Sequence, residues 1–280
     1  MSTEIRMDAL MPAEMAHKAE EIGVRKAGMK FWPLFALAVL AGAFIGVGSL
    51  FATITAAGSA AMPYGVTRTL MGFVFSIGLI LVVVGGAELF TGNVLIVIAW
   101  ASRKVSTLAL LRNWVIVYFG NFVGGFITAG LVFLGKQYTF GSGTMGETAL
   151  KIAVSKSNLG FVQAIALGIL CNALVCLAVW LTYSGRTTTD KILAILFPIA
   201  AFVAAGFEHS VANMYFLPYA WLIKTFDPAF VTTTGLDVAS LTWGTFLLKN
   251  FLPVTIGNII GGAGLVALMY WFVYLRTEKN

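Results

Sequence analysis

Three ionisable side chains stand inside apolar stretches of this chain, and their spacing is the first clue to its chemistry. Glu88 lies in the pattern G-x-E-x4-N, from Gly86 to Asn93, and Glu208 lies in the same pattern 120 residues later, from Gly206 to Asn213. His209 follows Glu208 directly and is the one histidine within the apolar stretches; His17 lies near the N-terminus. Ionisable groups at membrane depth are rare and mark a pathway, a relay or a paired site. A lone imidazole there suits hydrogen-bonding or protonating a weak-acid anion. It does not suit a metal, which would need several ligands at that depth, and no cofactor is indicated.

For Glu88 and Glu208 two readings stand. Each carboxylate takes part in ion or proton transfer, or each accepts hydrogen bonds from backbone N–H groups freed where a helix is broken. Symmetric duplication favours the architectural reading, with Asn93 and Asn213 as support for the break. Thr91 carries a hydroxyl able to donate or accept. Asn121 and Asn258 sit in a second duplicated pattern, G-N-x-x-G-G (Gly120 to Gly125, Gly257 to Gly262). Its glycines form a small-residue face for close helix approach, and each Asn needs a polar partner at that depth. Phe75, Leu79, Leu89, Phe90 and Phe202 cluster around the breaks and read as packing unless geometry places them on a path. Asn172 is a polar group in the fourth apolar stretch, and Lys156 is a cation at its outer end. Cys171 and Cys176, five apart on one helix, point about 140° apart at 3.6 residues per turn and are expected to pack, not pair.

These groups need elements to hold them. Hydrophobic residues make up 59% of the chain and charged ones 11%, with mean hydropathy +0.90. That is an all-α polytopic membrane protein, not a soluble domain. Residues 31–67, 113–135, 157–185 and 250–275 contain no Asp, Glu, Lys or Arg; each is long enough to span a core about 30 Å thick. Residues 69–102 and 192–223 would measure about 51 and 48 Å as single helices at 1.5 Å per residue. That is too long for one span and too short for two, so each is one span broken near its Glu. The total is six. Each half holds three spans, so the halves cross in opposite senses and form an inverted repeat of three plus three, with the second and fifth helices broken. The repeats cover about 29–134 and 158–276 within a membrane domain 29–276. The gap between the two motifs is longer in the second half, which fits an insertion around 224–246.

Lys and Arg fall twelve to six in favour of the segments that share a side with the termini, which places both termini in the cytoplasm. The net charge of +6 is mostly this bias. It is not a nucleic-acid footprint, and it gives an anion a mildly favourable field. Residues 1–30 carry Asp8, Glu14, Glu20 and Glu21 and no apolar run, so no cleavable signal is expected. Residues 1–28 are read as a cytoplasmic N-terminal segment, with 8–27 an amphipathic interfacial helix whose face is Leu10, Met11, Met15, Ala19 and Ile22. Residues 277–280 are a cytoplasmic tail. Two rivals are weak. Serine catalysis would need a base and an orienting group in register; Ser210 adjoins His209, but no G-x-S-x-G occurs. A water channel of the aquaporin type would show Asn-Pro-Ala at the breaks, where this chain has E-x4-N.

Taken together, Gly86-Ala-Glu-Leu-Phe-Thr-Gly-Asn93, Gly206-Phe-Glu-His-Ser-Val-Ala-Asn-Met214 and Ile256-Gly-Asn-Ile-Ile-Gly-Gly262 resemble the formate–nitrite transporter family. Asn113-Trp-x-x-Val-Tyr-Phe-Gly-Asn121 and Tyr183-Ser-Gly-Arg186 add to the likeness, which runs from about residue 8 to 276. Within the family the chain looks most like the bacterial formate channels, by Leu-Phe-Thr at 89–91, Phe202 and Met-Pro-Ala-Glu-Met at 11–15. The resemblance implies an aquaporin-like six-helix protomer in a homopentamer of the bacterial inner membrane, one pore per protomer. It implies a non-enzymatic channel for formate and related small anions, with nitrite, hydrosulfide, lactate or proton symport as alternatives. By position it implies His209 as the central pore histidine, Thr91 on the loop that breaks the second helix, and Asn258 in contact with His209 or substrate. Glu208, Asn172 and Lys156 fall around the path, and Phe75, Leu79, Leu89, Phe90 and Phe202 match its constrictions. It also implies a cytoplasmic formate-producing enzyme as a partner at the N-terminal helix. One departure is Glu88, where a formate channel of that family carries Asp; the longer side chain would shift the loop.

Overall fold

The structure is a computed structural model and describes residues 9–276; the first residues of the N-terminal segment and the 277–280 tail lie outside them. In chain order the helices are α1 (Pro12–Ala27), α2 (Phe31–Ala56), α3 (Tyr64–Phe75), α4 (Ile77–Gly85), α5 (Phe90–Asn93), α6 (Val97–Ala101), α7 (Thr107–Leu134), α8 (Thr144–Ser157), α9 (Phe161–Ser184), α10 (Thr188–Ala205), α11 (Ser210–Phe226) and α12 (Pro228–Thr234). A long final helix, Trp243–Tyr274, completes the six among the described residues that are long and apolar enough to cross a membrane. Two stretches of that helix, Phe246–Phe251 and Ile260–Leu268, have wide π turns.

The second span is α3 and α4 in series, which stop at Gly86; the fifth is α10, which stops at Gly206. Both glycines are left-handed, with φ 79° and 77°, a conformation that costs any residue with a Cβ. The residue after each glycine reaches back five positions to close the helix end: Ala87 N–H to the Val82 carbonyl at 2.9 Å and Phe207 N–H to the Phe202 carbonyl at 3.0 Å. This is the Schellman ending, repeated with the same 120-residue offset as the sequence motif. After each break the chain re-enters a helix, α5 continuing to α6 in the first half and α11 in the second.

Close backbone contact holds the spans together within each half. A side chain at Gly124 on α7 would run into the Val39 carbonyl on α2, and one at Gly261 would run into the Ile169 carbonyl on α9. Apolar surface gains little by burial among lipid tails, so this van der Waals fit between small-residue faces is what associates the spans.

Two features differ from the sequence reading. The N-terminal helix buries Met15, Ala16, Ala19, Glu20, Gly23 and Ala27, whereas Met11, assigned above to its apolar face, is 65% exposed. Its buried face is small because it docks tightly on protein: Gly23 sits against Ile96 and Ala99, and Glu20 pairs with Lys104 of the α6–α7 turn. The second feature is α8, which sequence periodicity did not reveal. It precedes α9 as α1 precedes α2, so the inverted repeat includes these flanking helices and extends beyond the limits drawn above.

The insertion at 224–246 contains α12. The Tyr138 hydroxyl donates to Asp227 Oδ2 at 2.8 Å, and Asp227 Oδ1 caps α12 by accepting the Phe230 N–H at 3.0 Å. Those two bonds, backbone first, hold the Asp227 carboxyl below its usual value. A lowered carboxylate value means stability that is present above the ordinary carboxylate range and lost as pH falls through it. We expect Tyr138→Phe to loosen this segment by about 1.5–3 kcal/mol, the range for a hydrogen bond to a charged group. Faster proteolysis confined to residues 224–246 would register it, and wild-type protection would refute it.

Candidate functional site

At each break the freed backbone groups are taken up by one asparagine. Asn121 Oδ1 accepts the Phe90 N–H at 2.9 Å, and its Nδ2 donates to the carbonyls of Ala38 (2.7 Å) and Glu88 (2.9 Å). Asn258 repeats this: Oδ1 accepts the Ser210 N–H at 2.9 Å, and Nδ2 donates to the carbonyls of Gly168 (2.8 Å) and Glu208 (2.9 Å). Both asparagines are fully buried. Each break also hydrogen-bonds to the preceding span, Glu88 N–H to the Leu37 carbonyl and Glu208 N–H to the Leu167 carbonyl.

The two carboxylates therefore do not receive the freed backbone N–H groups, as the architectural reading had them doing. Instead each meets a lysine and an asparagine. Glu88 Oε2 accepts from Lys26 Nζ at 2.9 Å and from Asn93 Nδ2 at 2.7 Å. Glu208 accepts from Lys156 Nζ at 2.7 Å and from Asn213 Nδ2 at 2.8 Å. A further asparagine closes each network. Asn113 bonds Asn93 and the Lys26 carbonyl; Asn250 bonds Asn213 and the Lys156 carbonyl. The lysines come from the ends of α1 and α8, which is why those two flanking helices belong to the repeat. Lys26 and Asn250 were not singled out from sequence. Their signal was there: Lys26 and Lys156 stand 130 residues apart, Asn113 and Asn250 137 apart, the latter matching Asn121 and Asn258.

Symmetry ends at the centre. His209 opens α11 as its cap: Nδ1 accepts the Ala212 N–H at 3.0 Å. That bond leaves the ring proton on Nε2, which lies 2.9 Å from Thr91 Oγ1. The ring thus offers an N–H donor to the place where the two broken spans meet. The ring lies nearly parallel to Phe202, with centroids 5.9 Å apart, and Phe202 meets Phe75 edge-on at 5.6 Å. Behind Thr91, the Cys176 thiol donates to its carbonyl at 3.4 Å. Asn172 Nδ2 donates to the Asn258 carbonyl at 2.6 Å.

Two open cavities approach this centre from opposite ends. One, of about 540 Å³, lies beside α1 and is walled at depth by Leu79 and Leu89. The other, of about 570 Å³, lies beside α8 and reaches Phe75, Phe202 and His209. Thr91 is fully buried and lines neither. The first vestibule holds Lys18, Arg25, Lys26 and Lys191 against the single acid Glu88. The second holds Arg68, Lys151 and Lys156 against Glu208. Burial, and after it the neighbouring Lys191, hold Lys18 below the ordinary lysine value. Phe90 stands apart from both: its ring packs edge-on against Tyr118 and Trp114 on α7.

Residues 13–272 match the model of the formate/nitrite transporter family. Over 284 aligned positions the chain is 45% identical to the formate channel FocA of Escherichia coli K12, covering all of both chains. It is 42% identical to the formate channel FocA of Haemophilus influenzae Rd, over 91% of each. Among solved structures it resembles a pentameric formate channel with formate bound, with TM-score 0.83, 46% identity, and coverage of 88% of this chain and 98% of that one.

Proposed function

Since this chain belongs to the formate/nitrite transporter family, we propose that it is a channel for formate, with His209 as the group that meets the anion. The observation that carries this reading is the His209–Thr91 pair, set between two cation-lined vestibules and flanked by apolar side chains. An anion is drawn into either vestibule by the excess of Lys and Arg. Leu79 with Leu89 on one side, and Phe75 with Phe202 on the other, strip its water, as hydrophobic constrictions do. Between them the Nε2–H of His209 and the hydroxyl of Thr91 replace the lost hydration.

The cap geometry supports hydrogen-bond donation over proton donation. A second proton on the ring would have to displace the Ala212 N–H, and it would set a cation at the N-terminal end of α11, against the helix dipole. Glu208, Lys156, Asn258 and Asn172 act around the path by fixing the loop that carries His209. Glu88, Asn93 and Asn213 do the same work at the breaks.

The assembly we infer is a homopentamer in a bacterial inner membrane, on the likeness to the pentameric formate channel. Both termini face the cytoplasm on the Lys and Arg bias, so the vestibule beside α1 is the cytoplasmic one. The domain plan is then α1 and its preceding residues, the membrane domain and a short tail. Because α1 forms a wall of that vestibule, its displacement would widen the mouth, and its exposed side would receive a cytoplasmic formate-producing enzyme.

The test is formate flux into proteoliposomes with internal pH recorded. Saturable formate entry is expected, competed by nitrite and unaccompanied by the acidification that formic acid entry would bring. Nitrite, hydrosulfide or lactate moving in the absence of formate flux would keep the fold and replace the substrate. Acidification in step with formate would indicate proton symport.

A further inference from the structure

Arg68 stands on α3, beside the α8-side vestibule, and has no counterpart in the other half: the 120-residue offset maps it onto Thr188. Its Nε donates to the Ala204 carbonyl at 3.1 Å and its NH2 group to the Val203 carbonyl. Those carbonyls belong to the last turn of α10, where the dipole favours a cation; the Val203 carbonyl also accepts the Gly206 N–H at 3.1 Å. The next residues are Gly206, whose position lies against the same guanidinium, and the loop bearing Glu208 and His209. The residue just before them is Phe202.

Arg68 and Phe75 are seven residues apart on α3, two turns and about 10 Å along one face. Phe202 and the clamped carbonyls are consecutive on α10. The same two helices therefore carry both the clamp and the Phe75–Phe202 contact. They touch along their length: a side chain at Gly72 would strike the Ala200 carbonyl, and Ser76 Oγ donates to the Leu196 carbonyl at 3.3 Å. A change in how Arg68 holds α10 must appear as a change in the spacing of Phe75 and Phe202.

We propose that Arg68 is a positioning residue for selectivity: by holding the end of α10 it sets the width of the Phe75–Phe202 constriction. The inference rests on the permeation reading above. An anion arriving in the vestibule meets a guanidinium that is already engaged with backbone, so its main effect is on the constriction and not on capture. Lysine is not an equivalent, since one ammonium lacks the planar fork that holds two neighbouring carbonyls.

The experiment compares formate flux with flux of the one-methyl-larger acetate in proteoliposomes, per folded oligomer. Arg68→Met is expected to lower the formate-to-acetate ratio at least threefold, and Arg68→Lys to lower it part of the way. Lys151→Met, which removes a vestibule cation that holds no carbonyl of α10, is expected to slow both anions and leave the ratio alone. An unchanged ratio in Arg68→Met overturns the proposal, and so does an equal fall in Lys151→Met. Arg68→Lys alone decides the question where the methionine variant yields no folded protein, an unchanged ratio then refuting the role. If the wild type moves a different small anion instead of formate, the ratio is taken for that anion against acetate, so the clamp is judged apart from the substrate.

Discussion

His209→Asn is expected to cut formate flux roughly ten- to a hundredfold while leaving the protein folded. Asparagine is a strong helix cap, so its Oδ1 can accept the Ala212 N–H in place of Nδ1 and preserve the start of α11. Its side chain is too short to reach Thr91 across the 2.9 Å contact that Nε2 makes. What is lost is one donor to a dehydrated anion. A hydrogen bond to a charged group is worth about 1.5–3 kcal/mol, and each 1.4 kcal/mol is about tenfold. The ring also fills space beside Phe202, so acetate should leak through the variant more readily than through the wild type. Alanine would confound the two effects, because it removes the cap as well. Formate flux and anion ratios equal to wild type between pH 5 and 8 would remove His209 from the path.

Sequence patterning revealed the six spans, the two breaks and the inverted symmetry because each rests on a local signal: charge-free length, an acidic interruption, a repeated spacing. What it missed depends on contacts across the fold. Glu88 and Glu208 were visible as a pair and Lys156 as a nearby cation, but Lys26 was not, and the two lysine pairings span 62 and 52 residues, from short helices with no membrane signature. Phe90 adjoins Thr91 in sequence yet packs on α7, because in the single turn of α5 neighbouring side chains point about 100° apart. Met11 fell on the expected apolar face of α1, but a helix that packs on protein through Ala and Gly has a narrower stripe than periodicity assigns. The one asymmetry that defines the site, His209 against Leu89 at the 120-residue offset, was legible from the start, since no symmetric scaffold requires it.

The buried ion pairs allow the two readings of the carboxylates to be separated. Lys156→Met should destabilise the protein by about 3–5 kcal/mol, because Glu208 is left charged and uncompensated in an apolar surround. Lys26→Met should cost less, since the Lys26 side chain is 25% exposed against 16% for Lys156 and water can screen what remains. Adding Glu208→Gln to Lys156→Met removes the charge and keeps an acceptor for Asn213. The double variant should then recover most of the loss, an interaction energy that a thermodynamic cycle measures directly. The decisive comparison is flux in that double variant. If Glu208 only fixes the loop under His209, restored stability brings restored formate flux. If its charge takes part in ion or proton transfer, the channel refolds but stays slow. The paired network of α1 and α8 lysines, repeated in both halves while only one half carries the histidine, supports the first outcome: duplication marks what builds the breaks, and the unduplicated His209 marks what meets the anion.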